Sequence, residues 1–216
     1  MNVVIIGASE NLGREIAIKF LSNGHKVIGI DNVTSAVQED NYIQYICDTR
    51  YADDLPHIND VHIFVSVPKA HDSDNIDLNL IGVINCIHKY VLNNANIKSV
   101  VNLADAAATT GADFADYVAS MGGLISYTRH VAKDIAKYGA TCNTLSFGGV
   151  LCSKNWSVMH DMSKWENIMT QTPLNKWATP TEVADWVYFM SVINKSCTAQ
   201  DIVVDNGEMF NHNFVW

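Results

Sequence analysis

Gly7 and Gly13 frame the turn Gly7-Ala-Ser-Glu-Asn-Leu-Gly13, which follows an apolar run, Val3–Ile6, and opens an amphipathic segment, Leu12–Ser22. Residues of these types at this spacing hold an anion. Where a Cβ is missing the backbone approaches a phosphate closely, and the helix's opening N–H groups and positive dipole end face it. Asn11 stands where a third glycine is expected, and asparagine is the residue that best tolerates a left-handed backbone after glycine. Asp31 closes a second apolar run, Lys26–Ile30. A carboxylate there accepts hydrogen bonds from ribose hydroxyls and repels a 2′-phosphate. Taken alone, Asp31 would more commonly be a helix cap or turn residue. Its place after strand, turn and helix predicts an adenine dinucleotide, NAD(H) in preference to NADP(H).

The elements that must position these groups are legible as an alternation. Apolar runs suited to buried strands fall at Val3–Ile6, Lys26–Ile30, Tyr42–Ile46, His62–Val65, Ser99–Asn102, Ala140–Leu145 and Asp201–Val204. Helical patterns occupy Leu12–Ser22, Leu78–Asn93, Phe114–Tyr138 and Thr181–Asn194. Leu12, Ile16 and Phe20 share one face of the first helix, which stops at Asn23-Gly24, and Pro180-Thr181-Glu182 signals the start of the last. The pattern predicts an α/β fold: a Rossmann-like, doubly wound parallel sheet of about seven strands with helices on both faces. No repeats or linker stretches interrupt it, so residues 1–216 read as one domain. Between residues 152 and 172 the rhythm lapses, and Trp156, Met159, Met162 and Trp165 stand among polar residues. That segment reads either as a lid over a ligand pocket or as a helix covering the sheet edge.

Composition excludes several classes. The chain is 48% apolar and 17% charged, which is globular rather than disordered. A net charge of −9 without Lys/Arg clusters argues against a nucleic-acid surface. No segment reaches the length of apolar residues that a membrane span needs, and the opening apolar run reads as a strand rather than a signal peptide. The five cysteines are scattered, odd in number and never paired as C-x-x-C, and the eight histidines lack ligand spacing. Reduced thiols, a cytoplasmic location and no metal site are expected.

Several further segments, in order, resemble the short-chain dehydrogenase/reductase superfamily over nearly the whole chain. The glycine turn matches that family's glycine motif with its middle glycine replaced. Cys47-Asp48 lies where an aspartate after the third strand meets the adenine, and Asp77-Leu-Asn79-Leu-Ile-Gly82 matches the helix carrying a structural asparagine. Val101-Asn-Leu leads toward the place of the catalytic serine, and Tyr117-Val-Ala-Ser opens a Tyr-x-x-x-Lys motif. Tyr138-Gly-Ala-Thr-Cys-Asn143, Pro180-Thr-Glu-Val-Ala184 and Val204-Asp205-Asn-Gly207 match later landmarks. The resemblance implies an oxidoreductase acting on a small molecule. Its dinucleotide would lie against Gly7, Ser9, Asn11, Leu12 and Gly13, then Asp31 and Asp48, and finally Ser66, Val67, Gly148 and Val150. It also implies a homodimer or homotetramer packed through the second and third long helices, with Ile84, Ile87, Val91 and Leu124 suited either to that face or to the core.

The family's catalytic tetrad is Asn, Ser, Tyr, Lys. Asn79 and Tyr117 are present; the serine position falls at Ala104 or Asp105, and the lysine position is Met121. Without a neighbouring ammonium, a phenol of reference pKa ~10 is phenolate only about one part in a thousand at pH 7. Such a tyrosine is a poor base for alcohol oxidation yet can still donate a proton during carbonyl reduction. Loss of the serine removes an oxyanion donor worth roughly 3–4 kcal/mol. Ionised, Asp105 would repel that oxyanion and raise the tyrosine further; protonated, it could donate instead. Thr109 and Thr110 offer substitute hydroxyls, and Lys154 offers a substitute ammonium. The family's Asn-Asn-Ala-Gly, Pro-Gly and Thr are here Ser66-Val67-Pro68-Lys69, Phe147-Gly148 and Cys152, so the nicotinamide half departs most. The expected activity is a carbonyl reductase using Tyr117, Asn79 and Asp105, with Trp156, Met159 and Trp165 on an apolar substrate. The alternatives are an inert dinucleotide-binding relative acting as a sensor or partner subunit, and a non-redox enzyme using Asp105 as acid or base.

Overall fold

A computed structural model describes residues 1–69, 75–152 and 155–210. The run Asn2–Ile6 forms β1 because its side chains are apolar on both faces, and Val3 to Ile5 are wholly buried. It leads through the glycine turn into α1 (Asn11–Ser22) and returns as β2 (Lys26–Asp31), parallel to β1 with Val3 opposite Val27 and Ile6 opposite Ile30. There follow β3 (Tyr42–Ile46), β4 (Val61–Ser66), α2 (Gly82–Tyr90), β5 (Ser99–Asp105), the short α3 (Ala107–Thr110) and α4 (Ala115–Ile135). The chain continues through β6 (Thr141–Phe147), α5 (Trp156–His160), α6 (Met162–Gln171), α7 (Pro180–Tyr188) and β7 (Asp201–Val204).

Among the described residues these strands make one parallel sheet in the order β3-β2-β1-β4-β5-β6-β7. The order reverses between β1 and β4, and in such sheets a crevice opens there beyond the carboxyl ends of the strands. Strand alternation splits the core into two layers. Val3, Ile5, Ile63 and Val65 pack on Ile16 and Phe20 of α1 and on Val183 and Val187 of α7. Val4, Ile6, Phe64 and Val100 pack on Cys86 and Ile87 of α2 and Leu124 and Val131 of α4.

The expected elements are found, with three physical adjustments. A π-helical turn, Asp77–Ile81, precedes α2, and a second, Phe189–Ile193, follows α7. Asn11 opens α1 at φ +44°, the left-handed backbone its side chain tolerates. The segment whose rhythm lapses in sequence is two helices, α5 and α6, the latter capped by the Asp161 carboxylate, which accepts from the Lys164 N–H. Ile87, Val91 and Leu124 are core residues, each at most 1% exposed, so they do not form the outward face suggested for a second copy. Among the described residues, exposed hydrophobics beside α2 and α4 include Ile76, Ile81 and Phe114.

Candidate active site

The crevice is a cleft of about 430 Å³ that runs from the glycine turn to Tyr117 in the first turn of α4. At one end it is lined by Gly7, Asn11, Leu12 and Asp31, and at the other by Asp105, Tyr117, Gly148 and Val150. The turn is shaped by close approach. A Cβ on Gly13 would stand 1.8 Å from the Gly7 carbonyl oxygen, and one on Gly7, at φ +76°, would stand 2.7 Å from that of Val67. Gly13 therefore seats α1 on the turn and does not line the cleft. Glu10 precedes α1 without capping it and lines the cleft, and no acidic side chain lies in the helix's first turn, so its opening N–H groups are not taken by a side-chain cap. A cradle that a Cβ would fill, at a helix N-terminus, fits the diphosphate of a dinucleotide.

Asp31 ends β2 with its side chain 2% exposed. Its Oδ2 accepts from the Ser9 N–H at 3.0 Å and its Oδ1 from the Asn32 N–H at 2.8 Å. Ser9 is buried and spends its hydroxyl on the Val33 carbonyl oxygen, so it braces Asp31 rather than lining the cleft. The Lys69 ammonium also reaches Asp31, at 2.8 Å from Oδ1, and it touches the Asn32 side-chain oxygen. This pairing is absent from the sequence reading, which notes Lys69 only as a departure from the family pattern.

Asp48 does not line the main cleft. It faces a recess of about 40 Å³ shared with Asn79 and Lys69, and Arg50 clamps its carboxylate at 2.7–3.1 Å, holding it below the usual carboxylate range. Asn79, buried in the π turn, holds the chain after β4: its Oδ1 accepts from the Lys69 N–H and its Nδ2 donates to the Lys69 carbonyl, both at 2.8 Å. It is thus a positioning residue for that loop. Ser66 turns inward, its hydroxyl 2.7 Å from Asn102 Oδ1, and Asn102 in turn donates to Thr128 on α4. Ser66 is therefore a link inside the sheet, not a wall of the cleft; Val67 is the wall.

At the reacting end, the Tyr117 hydroxyl donates to Asp105 Oδ2 at 3.1 Å, while Asp105 Oδ1 accepts from the Ala107 N–H at 2.8 Å. Of the two candidates for the serine place, Asp105 is the one that hydrogen-bonds the tyrosine hydroxyl. Ala104 packs instead with Tyr117, Met121 and Ile125 in a small apolar cluster, in which Met121 is fully buried. Burial first, then the charge of Asp105, holds the Tyr117 phenol well above its ordinary value. Thr109 and Thr110 are exposed on α3 and do not line the cleft, so neither replaces the serine. Lys154 and the side chain of Trp156 lie outside the described residues. Behind Gly148, Glu208 Oε2 accepts from the Gly149 N–H at 3.0 Å, and burial pushes this carboxyl up, with the Asp205 and Asp105 charges adding to the effect.

Among the described residues of the 152–172 segment, Cys152 and Asn155 line the cleft. Trp165 instead packs edge-on against Trp177, ring centres 5.1 Å apart, over a second and more open cavity lined with Met162 and Met169. Met159 is likewise not among the residues lining the cleft.

The family described as enoyl-(acyl carrier protein) reductase matches residues 60–208, more than half of the chain. A 3-oxoacyl-[acyl-carrier-protein] reductase, FabG, from Staphylococcus aureus is 25% identical over 240 residues, covering 95% of this chain and 97% of its own. A short-chain dehydrogenase from Leptospira borgpetersenii with bound NAD+ superposes with a TM-score of 0.82 at 19% identity, over 96% of this chain and 92% of its own. A proposed 2-deoxy-d-gluconate 3-dehydrogenase from Agrobacterium tumefaciens with bound NADP gives 0.83 at 18% identity, over 97% and 96%. With the parallel sheet and the glycine turn, these matches define the class: the chain belongs to the short-chain dehydrogenase/reductase family of oxidoreductases.

Proposed function

We propose that this protein is an NAD(H)-linked carbonyl reductase in which Tyr117 is the proton donor. The observation that carries the reading is that one cleft joins the glycine turn and Asp31 to Tyr117. When bound, the reduced nicotinamide supplies a hydride to the carbonyl carbon. Tyr117 then gives its phenolic proton to the carbonyl oxygen and recovers one from solvent. The raised phenol favours this direction, because it keeps the tyrosine protonated at neutral pH. For the proton to reach substrate, the hydroxyl must turn away from Asp105. Asp105 is thus part of the reacting centre, whereas Asn79 acts at one remove by holding the Lys69 loop. Leu103, Ala104, Phe147 and Val150 make the reacting end apolar, which favours a carbonyl on an apolar chain, as in the 3-oxoacyl group named for the staphylococcal relative. Among the described residues of 152–172, Cys152 and Asn155 are the ones through which this segment would act as a lid.

The same geometry supports a second reading. A tyrosine bonded to a carboxylate beside a buried methionine suits an inert relative that binds the dinucleotide and acts as a sensor or partner subunit. Tyr117→Phe separates the two. For a reductase, turnover of a carbonyl panel falls at least about 100-fold while NADH titration by fluorescence is unchanged. Tight NADH binding with no turnover in the parent protein would favour the inert reading. Exposed Ile76 and Ile81 support a homodimer or homotetramer, and five free cysteines support a reducing, cytoplasmic setting.

A further inference from the structure

Lys69 is the group the reading above leaves unused, and its surroundings are built. Its backbone is pinned at both N–H and carbonyl by Asn79, which fixes the Cα at the lip of the crevice. From there the side chain crosses from the end of β4 to the end of β2, where its ammonium lies 2.8 Å from Asp31 and against Asn32. It also acts on Asp48, whose main partner is Arg50. Lys69 lines both the main cleft and the recess that holds Asp48, so it stands between the two carboxylates expected to meet the adenosine.

Two consequences follow for recognition. Asp31 already accepts from Ser9 at Oδ2 and from Asn32 and Lys69 at Oδ1, so a ribose diol must share the carboxylate with the ammonium. Moreover, a carboxylate selects against a 2′-phosphate by repulsion, and a cation in contact with that carboxylate cancels most of the repulsion while offering the phosphate a charge-assisted donor.

We propose that Lys69 is a specificity-determining residue that admits the 2′-phosphorylated dinucleotide, NADP(H), to the same site as NAD(H). The inference rests on the dinucleotide reading and concerns only which adenosine end the site takes. Lys69 leaves Asp31 for the 2′-phosphate when NADP(H) binds, and shares Asp31 with the ribose hydroxyls when NAD(H) binds.

The test is calorimetric or fluorescence titration of NADH and NADPH against the parent protein, Lys69→Met and Lys69→Arg, with thermal melts to verify folding. The parent is expected to bind NADPH within about tenfold of NADH. Lys69→Met weakens NADPH by about tenfold or more and leaves NADH within about threefold, whereas Lys69→Arg keeps NADPH binding. Lys69→Gln repeats the comparison should the methionine variant melt early. Equal losses for both cofactors, or NADPH binding that ignores the substitution, overturn the role of Lys69 but leave the dinucleotide site standing. So does a parent that binds NADH alone. Failure of the folded parent to bind either cofactor removes the underlying reading as well.

Discussion

Asp105 opposite Tyr117 decides what the tyrosine can do at each pH. A phenol whose value is raised keeps its proton further up the pH scale, so the donor form persists and the base form recedes. Carbonyl reduction should therefore lose no donor between pH 6 and about 10, while alcohol oxidation should stay suppressed over the same range. Initial rates in both directions across that range check this; an oxidation limb rising near neutrality would contradict it. Asp105→Ser removes the charge and returns a hydroxyl donor. Reduction should then rise by roughly 100-fold, the size of one oxyanion donor, and the oxidation limb should move to lower pH. A fall in rate instead would make the Asp105 carboxyl itself a working group. Glu208, behind Gly148, offers an independent titration. Its carboxyl is raised in the folded state, so its contribution to stability is complete below the unfolded value and is lost as pH rises through the folded one. Glu208→Gln should accordingly melt higher than the parent at pH 7–8, with the gap closing toward pH 4 as both states become neutral.

At the scale of elements, the turn before α1 and the start of α7 make a contrasting pair. Gly13→Ala would drive a Cβ into the Gly7 carbonyl, with a cost of about 1–3 kcal/mol and a deformed cradle, so stability and dinucleotide binding should fall together. Thr179→Ala loses a capping box in which Thr179 and Glu182 satisfy each other's backbone N–H groups. It should cost about 1 kcal/mol and leave binding untouched, since neither Thr179 nor Glu182 lines the cleft. Denaturant midpoints alongside NADH titration separate the two outcomes. The order of elements was legible because apolar runs and helical periods are local, and so was the turn, whose glycines are set by contacts within the turn and with the neighbouring strand. The clasp of Lys69 on Asp31 was not, because those residues are 38 positions apart in sequence and meet only once β2, β1 and β4 lie side by side. The direction of Trp165 was hidden for a similar reason: its spacing marks an apolar helix face, but only Trp177 shows which cavity that face borders. Ser66 illustrates the converse, a residue in the expected place whose side chain alternates to the wrong side of the strand.

For the whole molecule, the two-layer core leaves apolar side chains outside it. Ile76 and Ile81 flank the π turn beside α4, and Trp186, Phe189 and Ile193 lie along α7 and its own π turn. Exposed apolar side chains on the Ile76–Ile81 side suit association. Sedimentation should give a mass at least twice that of one chain, and Ile81→Asp should reduce it; a monomeric parent at micromolar concentration would exclude association through this face. Among the described residues no helix is long and apolar enough to cross a membrane.

Met121 limits what this cleft can be made to hold. Its side chain is sealed between Ala104, Tyr117 and Ile125, with no exposed surface. Restoring lysine there would strand an ammonium in hydrocarbon, at a desolvation penalty of several kcal/mol. An amine placed there would first need the apolar seal opened, so this packing ties the cleft to chemistry that does without one.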